Sequence, residues 1–530
     1  MNTHTTRNIL YCLFILYILS IIFALFRVPL SIGWDPGICI KMADNWIKGI
    51  PFNYYSHPNP ANLSADELEF VTWWTPGQFA VPLLFKNIFG VNMNNAIRTM
   101  TALCLGISGW GIFKLYALLL KDRFINNHSI IIISLVLFTV LQPFFWGNLF
   151  NYDGGGILLL AYSPWFIYGV IRVKRINILT VIGLLLSGFF GFFLKSSFTA
   201  TFAGALGYLF LISSINPDVS IKKQHLKKIF VNGAILGTIL IAYMLAIKLA
   251  FLSHNRSISD SSMGIAVQPR ALLFPVIAPV IGVFAMNYLN KTAYWLTAFI
   301  IVLPIYYFMF KKAQLSLTYK YVMISFVFIS VLFYVFLYFI RVDVSYELRH
   351  YTIMVIVCSP ALFITLWKLP FRRYLVFAIV VVYTLTNIYN YSLRFARALS
   401  APKSNLYSGF MSNYPANLIN KIHSLDSANT NGRDIFYLKS NDPYLAYEIK
   451  TNRVLLADNY INFHFNNEGR FKPILYYGKN NGQLYVVSPQ GQSAQDSTSF
   501  FGKFEKYRRF KNIYQTKGYI IYKALLTDSE

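Results

Sequence analysis

The sequence predicts a polytopic α-helical membrane protein with a small extracytoplasmic α/β domain at its C-terminal end. Of the 530 residues, 56% are hydrophobic and 18% are aromatic, and the mean hydropathy is +0.47. A soluble fold could not bury that much apolar surface, whereas a bilayer can. The segment 394–530 differs from the rest because it is polar and lacks any apolar run long enough to cross a membrane.

The apolar runs predict the transmembrane domain, residues 1–393. About eleven of them are long enough to cross about 30 Å of hydrocarbon. We predict spans at 9–30, 97–120, 129–146, 155–171, 177–194, 197–214, 229–250, 293–310, 320–340, 351–368 and 373–393. The first run has no small-x-small cleavage site and is too long for a signal peptide, so we expect it to be retained.

Short basic loops predict the orientation. The loops after the second, fourth, sixth, eighth and tenth spans carry Lys121 and Arg123, Arg172 to Arg175, Lys222 to Lys228, Lys311 and Lys312, and Lys368 to Arg373. Because such loops stay in the cytoplasm, the N-terminus should be cytoplasmic. The first loop, 31–96, and the domain 394–530 should then be extracytoplasmic, which in a bacterium means the periplasmic side of the inner membrane.

The apolar segment 271–289 is an exception to this count. If it crossed the bilayer alone, the later basic loops would change sides. Pro275 and Pro279 interrupt it, so we interpret it as a re-entrant or interfacial segment packed against other helices.

The C-terminal segment has the alternation typical of short strands, at 434–439, 453–457, 483–488 and 519–524. A helix start is predicted at 441–447. This domain is large enough to have its own core.

The formal net charge of +26 points to anionic partners. Many of the cations lie in cytoplasmic loops, and no basic nucleic-acid-binding motif is visible, so nucleic acid is not an expected partner. The remaining cations suit lipid head groups or phosphate-bearing substrates. The four cysteines have no spacing typical of a disulfide framework or a zinc site.

Asp35 is the first candidate functional residue, because it lies just beyond the first span, where a carboxylate is costly to keep. At the rim of a partly dry cavity a carboxylate suits a general base, since burial raises its pKa. Asp35-Pro36 is also a good helix start, so a helix cap is the alternative interpretation.

Two further candidates lie at predicted extracytoplasmic turns. Asp153 precedes Gly154–Gly156, which allow close backbone approach, although it is equally typical of a simple turn. Lys195 lies between two apolar helices, so it must either extend outward to water or meet an anion.

The segment 347–351 begins the predicted span 351–368. Arg349 can bind a phosphate through two parallel hydrogen bonds and can neutralise a departing phosphate. The alternative is an interfacial arginine paired with Glu347. Arg270 is a weaker second phosphate ligand.

Aromatic residues are frequent in the first loop. Trp34, Trp73 and Trp74 suit the membrane interface, where an amphipathic helix is expected near 41–48. The same rings could instead stack on sugars.

The segments 32–52 and 72–90 together resemble the first extracytoplasmic loop of the GT-C glycosyltransferases, multi-span enzymes that take sugars from polyprenyl-phosphate carriers. The turn around Lys195 resembles the Leu-Thr-Lys turn of lipid-A aminoarabinose transferases. Arg349–Tyr351 resembles a family Arg-Tyr pair, here with His350 inserted. Protein O-mannosyltransferase-like enzymes are similar in the same general way.

The resemblance implies a GT-C-like fold and an inverting hexosyl- or pentosyltransferase. It would move a sugar from a polyprenyl-phosphate carrier to a lipid, glycan or protein acceptor. Asp35 and Asp153 would be catalytic, and the donor phosphate would meet Lys195, Arg349, His350 and Arg270. Substrate contacts would come from Trp34, Trp73, Trp74, Gln78, Glu347 and Tyr351. No metal ligands are predicted, and a divalent metal stays open because some members of the class bind one at a second acidic residue.

Two other membrane functions are alternatives. O-antigen polymerases and ligases also place basic residues against lipid-linked phosphates, but their large outer loop usually lies between late spans. A transporter of lipid-linked sugars would be expected to show inverted repeats, and no repeat is evident here.

Overall fold

A computed structural model of the chain describes residues 3–28, 30–59, 62–70, 74–121, 128–173, 175–214, 223–251, 269–284, 292–311, 314–339, 347–368, 372–400, 409–411, 414–439, 443–456, 482–491 and 507–526. The helices in chain order are α1 (Thr3–Arg27), α2 (Trp34–Ile47), α3 (Gly77–Phe89), α4 (Met93–Leu119), α5 (His128–Val140), α6 (Pro143–Trp146), α7 (Gly155–Ile171), α8 (Ile178–Leu194), α9 (Phe198–Ser214), α10 (Lys223–Phe251), α11 (Pro269–Ile281), α12 (Thr292–Lys311), α13 (Leu317–Met323), α14 (Ser330–Phe339), α15 (Thr352–Trp367), α16 (Arg372–Ser400), α17 (Ala416–Ala428) and α18 (Pro443–Tyr447). The strands are β1 (Ser31–Ile32), β2 (Tyr54–Asn59), β3 (Asn62–Phe70), β4 (Asn151–Tyr152), β5 (Ile435–Leu438), β6 (Arg453–Leu456), β7 (Leu484–Pro489), β8 (Tyr507–Thr516) and β9 (Tyr519–Leu526).

The helices confirm that the chain is a polytopic α-helical integral membrane protein. Each predicted span coincides with one or more of them. Within the described residues, five segments are long and apolar enough to cross a bilayer: His4–Arg27, Met93–Leu119, Leu226–Phe251, Leu317–Phe339 and Leu348–Trp367. Shorter apolar helices accompany them. The count of eleven spans and the domain boundary at 393 stay predictions, and α16 continues past that boundary to Ser400.

Large apolar side chains cover the outside of this helical body. Exposed examples on α1, α8, α10, α12 and α14 are Leu16, Phe23, Leu179, Leu186, Phe230, Leu249, Ile300 and Leu332. A water-soluble monomer rarely exposes so extensive an apolar surface, whereas lipid chains match it.

Helix α11 forms the first part of the apolar segment 271–289. It has 13 residues, about 20 Å at the rise of an α-helix, and so is too short to cross the hydrocarbon by itself. Ala271, Phe274 and Ile277 are buried, and the helix packs against α12, α14 and α15. This packing agrees with the prediction for 271–289, of which residues 285–289 lie outside the described part of the chain.

The C-terminal domain contains a five-stranded sheet in the order β6-β5-β7-β9-β8. β5 pairs in parallel with β6 and β7, and β9 pairs antiparallel with β7 and β8. The strands predicted at 434–439, 453–457, 483–488 and 519–524 and the helix predicted at 441–447 are confirmed. Strand β8 and helix α17 had no prediction.

The first long loop, predicted at 31–96, packs tightly against this domain. The Nε atom of Arg453, on β6, donates to Oδ1 of Asp66, on β3, at 2.7 Å. Its other nitrogens donate to the carbonyls of Leu63 and Ala65 at 2.7 and 2.9 Å. Only 6% of Arg453 and 5% of Asp66 is exposed, so each ion depends on the other for compensation.

A second contact joins α2 to α18. The ammonium of Lys41 donates to the carbonyls of Ala446 and Ile449, each at 3.2 Å, and lies 3.6 Å from the carboxylate of Asp44. Burial lowers the pKa of Lys41 to about 8, against the opposing effect of Asp44. The helix expected near 41–48 is therefore present, with one face buried against protein.

The Arg453–Asp66 contact predicts a large destabilisation in Arg453→Met. The variant leaves Asp66 and two carbonyls buried without their donor, so unfolding should require about 3–5 kcal/mol less free energy. The resistance of the purified protein to limited proteolysis in detergent measures this. Adding Asp66→Asn should recover part of the loss, and Arg433→Met, at an exposed arginine of the same domain, should change little. Equal proteolysis of both arginine variants would contradict the prediction.

Candidate active site

A short parallel strand pair brings the first loop to the beginning of α7. In it, Ile32 of β1 lies opposite Tyr152 of β4. Asp35 follows β1 by three residues, and Asp153 directly follows β4. Because parallel strands end at the same edge, the backbones of the two predicted acidic residues leave the pair on the same side.

Gln78 connects α3 to the turn that carries Asp153. Its buried side-chain oxygen accepts a hydrogen bond from the amide of Gly155 at 3.2 Å. Its backbone carbonyl accepts the hydroxyl of Tyr152 at 3.3 Å. The described contacts of Gln78 therefore hold the turn in place, whereas the sequence predicted a substrate contact for this residue.

Three helix ends meet at this turn, and glycine permits their approach. A Cβ on Gly77, at the start of α3, would lie 2.5 Å from the carbonyl oxygen of Phe193 near the end of α8. A Cβ on Gly155, at the start of α7, would lie 2.8 Å from the carbonyl oxygen of Leu194 and 3.1 Å from Cβ of Lys195. Lys195 is thereby placed beside the residues that follow Asp153.

The carboxylate of Asp153 lies at the N-terminal end of α7. It fills the space that a side chain on Gly156 would occupy, and Gly154 adopts a φ of +77°. The positive end of the helix dipole favours an anion there. Oδ1 of Asp153 is buried, and no donor among the described residues bonds to it.

Arg349 lies in a 3₁₀ turn, Leu348–Tyr351, that leads into α15. Nε of Arg349 lies 2.7 Å from Oε2 of Glu347, so the ion pair suggested as the alternative interpretation is present. Both side chains are well exposed, and an exposed pair of this kind is worth about 0–1 kcal/mol. A phosphate can therefore compete with Glu347 for the guanidinium.

His350 and Tyr351 hold this turn. The positive charges of Lys195 and Arg349 both act on the ring of His350, which places Lys195 near the turn. The ring of Tyr351 is buried, with its centroid 4.8 Å from that of Tyr334. The described environment of Tyr351 is thus core packing, whereas the sequence predicted a substrate contact.

Asp153 and Arg349 line one cavity of about 210 Å³. Polar atoms come also from Asn151, Thr352 and Arg394, and the apolar part of the lining includes Phe144, Leu159, Leu160 and Ile353. The volume suits a phosphate group and the atoms next to it, because pockets for whole ligands are typically about 300–1,000 Å³.

Several predicted site residues are not in the cavity lining, and for some of them the structure does not describe the side chain. Trp73 is outside the described residues, as are the side chains of Trp34, Asp35 and Arg270. Trp74 is buried, with 4% of its surface exposed.

The cavity also contains residues that the sequence analysis did not select, namely Asn151, Thr352 and Arg394. Arg394 directly follows the last predicted span. A charge at a membrane boundary was the signal that selected Asp35, and the same signal would have selected Arg394.

The described residues do not define a metal site, since no group of three His, Cys, Asp or Glu side chains among them lies close enough together to hold an ion. One carboxylate and two guanidinium groups are instead suited to an anion.

The described helices and the C-terminal sheet give a polytopic membrane protein with a GT-C-like fold. ArnT from Cupriavidus metallidurans bound to undecaprenyl phosphate is similar over 97% of both chains, with a TM-score of 0.52 and 10% identity. ArnT in the apo state gives the same values. The Archaeoglobus fulgidus oligosaccharyltransferase in complex with Zn and sulfate matches 94% of this chain and 69% of its own, with a TM-score of 0.38 and 12% identity.

No protein-family model matches the sequence. No curated protein matches it either. At 10% identity, the likeness to ArnT shows a shared fold, and it confirms the GT-C-like architecture expected from the resemblance.

The close approach of α3 and α8 predicts that Gly77→Ala destabilises the protein. The added methyl would press on a backbone oxygen, so the helices must separate at a cost of about 1–3 kcal/mol. Gly106→Ala is the matched control, because a Cβ at that position on α4 has no atom within 4 Å. The midpoint of thermal unfolding in one detergent compares the two variants. A Gly77→Ala midpoint equal to that of Gly106→Ala would show that the contact is dispensable.

Proposed function

We propose that the protein is an inverting glycosyltransferase that moves a sugar from a polyprenyl-phosphate carrier to an acceptor hydroxyl on the extracytoplasmic face. The observation that carries this proposal is the cavity in which Asp153 and Arg349 lie together beside an apolar wall. The strand pair β1–β4 adds the backbone of Asp35 at the same place. The GT-C-type fold supports the same function.

The cations suit the phosphate of such a donor. A glycosyl phosphodiester carries one negative charge, and the departing polyprenyl phosphate gains a second as the bond from the anomeric carbon to oxygen breaks. Arg349 and Lys195 both lie near His350 and can balance that developing charge. Arg349 can exchange its exposed contact with Glu347 for the phosphate.

The acidic residues suit the acceptor. In the proposed reaction Asp35 takes the proton from the acceptor hydroxyl while its oxygen attacks the anomeric carbon on the face opposite the phosphate. The new carbon–oxygen bond forms as the phosphate leaves with its electron pair, so the configuration inverts. Asp153, which lines the cavity, orients the acceptor hydroxyl.

The acceptor would approach through the soluble part of the protein. The first loop and the C-terminal domain are joined by the contacts of Arg453 and Lys41, so they form one unit. We propose that this unit lies on the extracytoplasmic side, as the basic loops predict. A lipid, a glycan or a protein can each supply the hydroxyl.

Asp35→Asn tests the assignment of the base. Because the amide cannot accept the proton, kcat should fall by about 10²–10⁴-fold. Release of polyprenyl phosphate in membranes that contain native donor and acceptor measures turnover, and Asp35→Glu should retain much more activity. Asp153→Asn should mainly raise KM for the acceptor. Undiminished turnover in Asp35→Asn would remove Asp35 as the base, and a loss of kcat in Asp153→Asn alone would assign that role to Asp153.

Arg349→Gln tests the phosphate contact. We expect affinity for undecaprenyl phosphate to fall about 10- to 100-fold, since a charge-assisted pair of hydrogen bonds is lost. Binding to the purified protein in uncharged nanodiscs measures this. Glu347→Gln is the matched control: it frees the guanidinium, so affinity should stay equal or rise. Parallel losses in both variants would indicate that the ion pair matters only for structure.

A further inference from the structure

Arg394 lies at the end of α16 that faces the cavity and contributes to its lining together with Asp153 and Arg349. Its guanidinium carbon is 5.4 Å from the centroid of the Trp146 ring, within the range of a cation–π contact. Arg394 is exposed, so the group is stacked on one side and open on the other.

The ring beneath the guanidinium is fixed. Trp146 is buried, and its indole nitrogen donates to the carbonyl of Leu141 at 3.0 Å. Tyr391, one turn before Arg394, meets the same indole edge-on, with ring centroids 5.8 Å apart. Since these contacts settle the position of the ring, they also restrict the guanidinium stacked on it.

Stacking on the ring leaves the N–H groups of the guanidinium able to donate hydrogen bonds to an anion. A cation–π contact involves the face of the planar group, while its N–H bonds point outward in the plane. Within the described part of the chain, Arg349 has Glu347 as an ionic partner, whereas Arg394 forms no ion pair. Arg394 is therefore the cation of this cavity whose charge an incoming anion would balance.

The apolar residues in the cavity lining indicate what kind of anion fits. Leu159, Leu160 and Ile353 give the cavity an apolar side, which suits a hydrocarbon chain. A prenyl phosphate, which the proposed function supplies, has an anionic group joined to such a chain.

We propose that Arg394 is a second phosphate-binding residue of the donor site, held for that purpose against Trp146. The proposal rests on the proposed function, because it assigns the anion as polyprenyl phosphate. Arg394 and Arg349 together would then provide two guanidinium groups that bind the dianionic phosphate after the sugar has left.

The test measures binding of undecaprenyl phosphate to the purified full-length protein in phosphatidylcholine nanodiscs. Arg394→Gln should weaken binding at least 10-fold, and Arg394→Lys should restore part of it. Arg397→Gln is the matched control, because Arg397 is one turn further along the same helix and does not line the cavity. Its affinity should stay within twofold of the wild type.

Trp146→Leu tests the stacking. It keeps the charge of Arg394 but removes the ring, so we expect an intermediate loss of affinity. Adding Arg394→Gln to it should cost less than the same change in the wild-type protein. The thermal midpoint of each variant distinguishes this coupling from a general loss of the fold. If Arg394→Gln costs the same affinity with and without the Trp146 ring, so that the losses simply add, the role of Trp146 is overturned.

The outcomes separate the two proposals. If the wild type binds undecaprenyl phosphate and Arg394→Gln binds equally well, the role of Arg394 is overturned while the proposed donor stands. Equal weakening in Arg394→Gln and Arg397→Gln also overturns it, since general surface charge would explain both. If the wild type does not bind undecaprenyl phosphate, both proposals fall. If phosphatidylglycerol in the nanodisc competes on equal terms, the site binds lipid head groups and the donor assignment is overturned.

Discussion

The parallel pairing of β1 with β4 is the interaction on which the arrangement of the candidate site depends. It joins a loop that follows the first helix to a turn that precedes α7, over 120 residues of chain. The side chain of Ser31 strengthens the junction by donating to the carbonyl of Phe150 at 2.7 Å. Without this junction, the backbones that carry Asp35 and Asp153 would have no fixed relation to each other.

Glycine and glutamine complete the same junction from the side of the helices. Gly77 and Gly155 let α3, α7 and α8 approach one another, and Gln78 bonds to the first amide of α7. Buried backbone groups in a membrane protein must be satisfied by the protein itself, and Gln78 does so for Gly155. Lys195 is then held beside the start of α7, and the turn at Arg349 lines a cavity with both polar and apolar residues in its wall.

Much of this architecture could be predicted from the sequence. Long apolar runs fix the helices because few other structures can satisfy their backbones in lipid, and alternation fixed four strands of the C-terminal sheet. Asp153 was selected from its glycine-rich turn, Lys195 from the cost of a charge between apolar helices, and Arg349 from its ability to bind phosphate. The structure brings these residues near one another. Strands of two residues, such as β1 and β4, carry no periodic signal, so their pairing could not be predicted. Tyr351 was predicted as a substrate contact, and its position beside Arg349 does not reveal that its ring packs against that of Tyr334. Strand β8 was missed because its mixture of charged, aromatic and amide residues lacks regular alternation.

The ion pair between Asp66 and Arg453 has a consequence for the time at which the protein becomes complete. Its two members are 387 residues apart in the chain. A ribosome adding about 5–20 residues per second needs roughly 20–80 s to supply the second after the first. During that interval the hairpin β2–β3 exists without its partner, and the carboxylate of Asp66 is solvated by water. The junction between the first loop and the C-terminal domain is therefore among the last parts of the structure to form, because it waits until nearly the whole polypeptide has been synthesised.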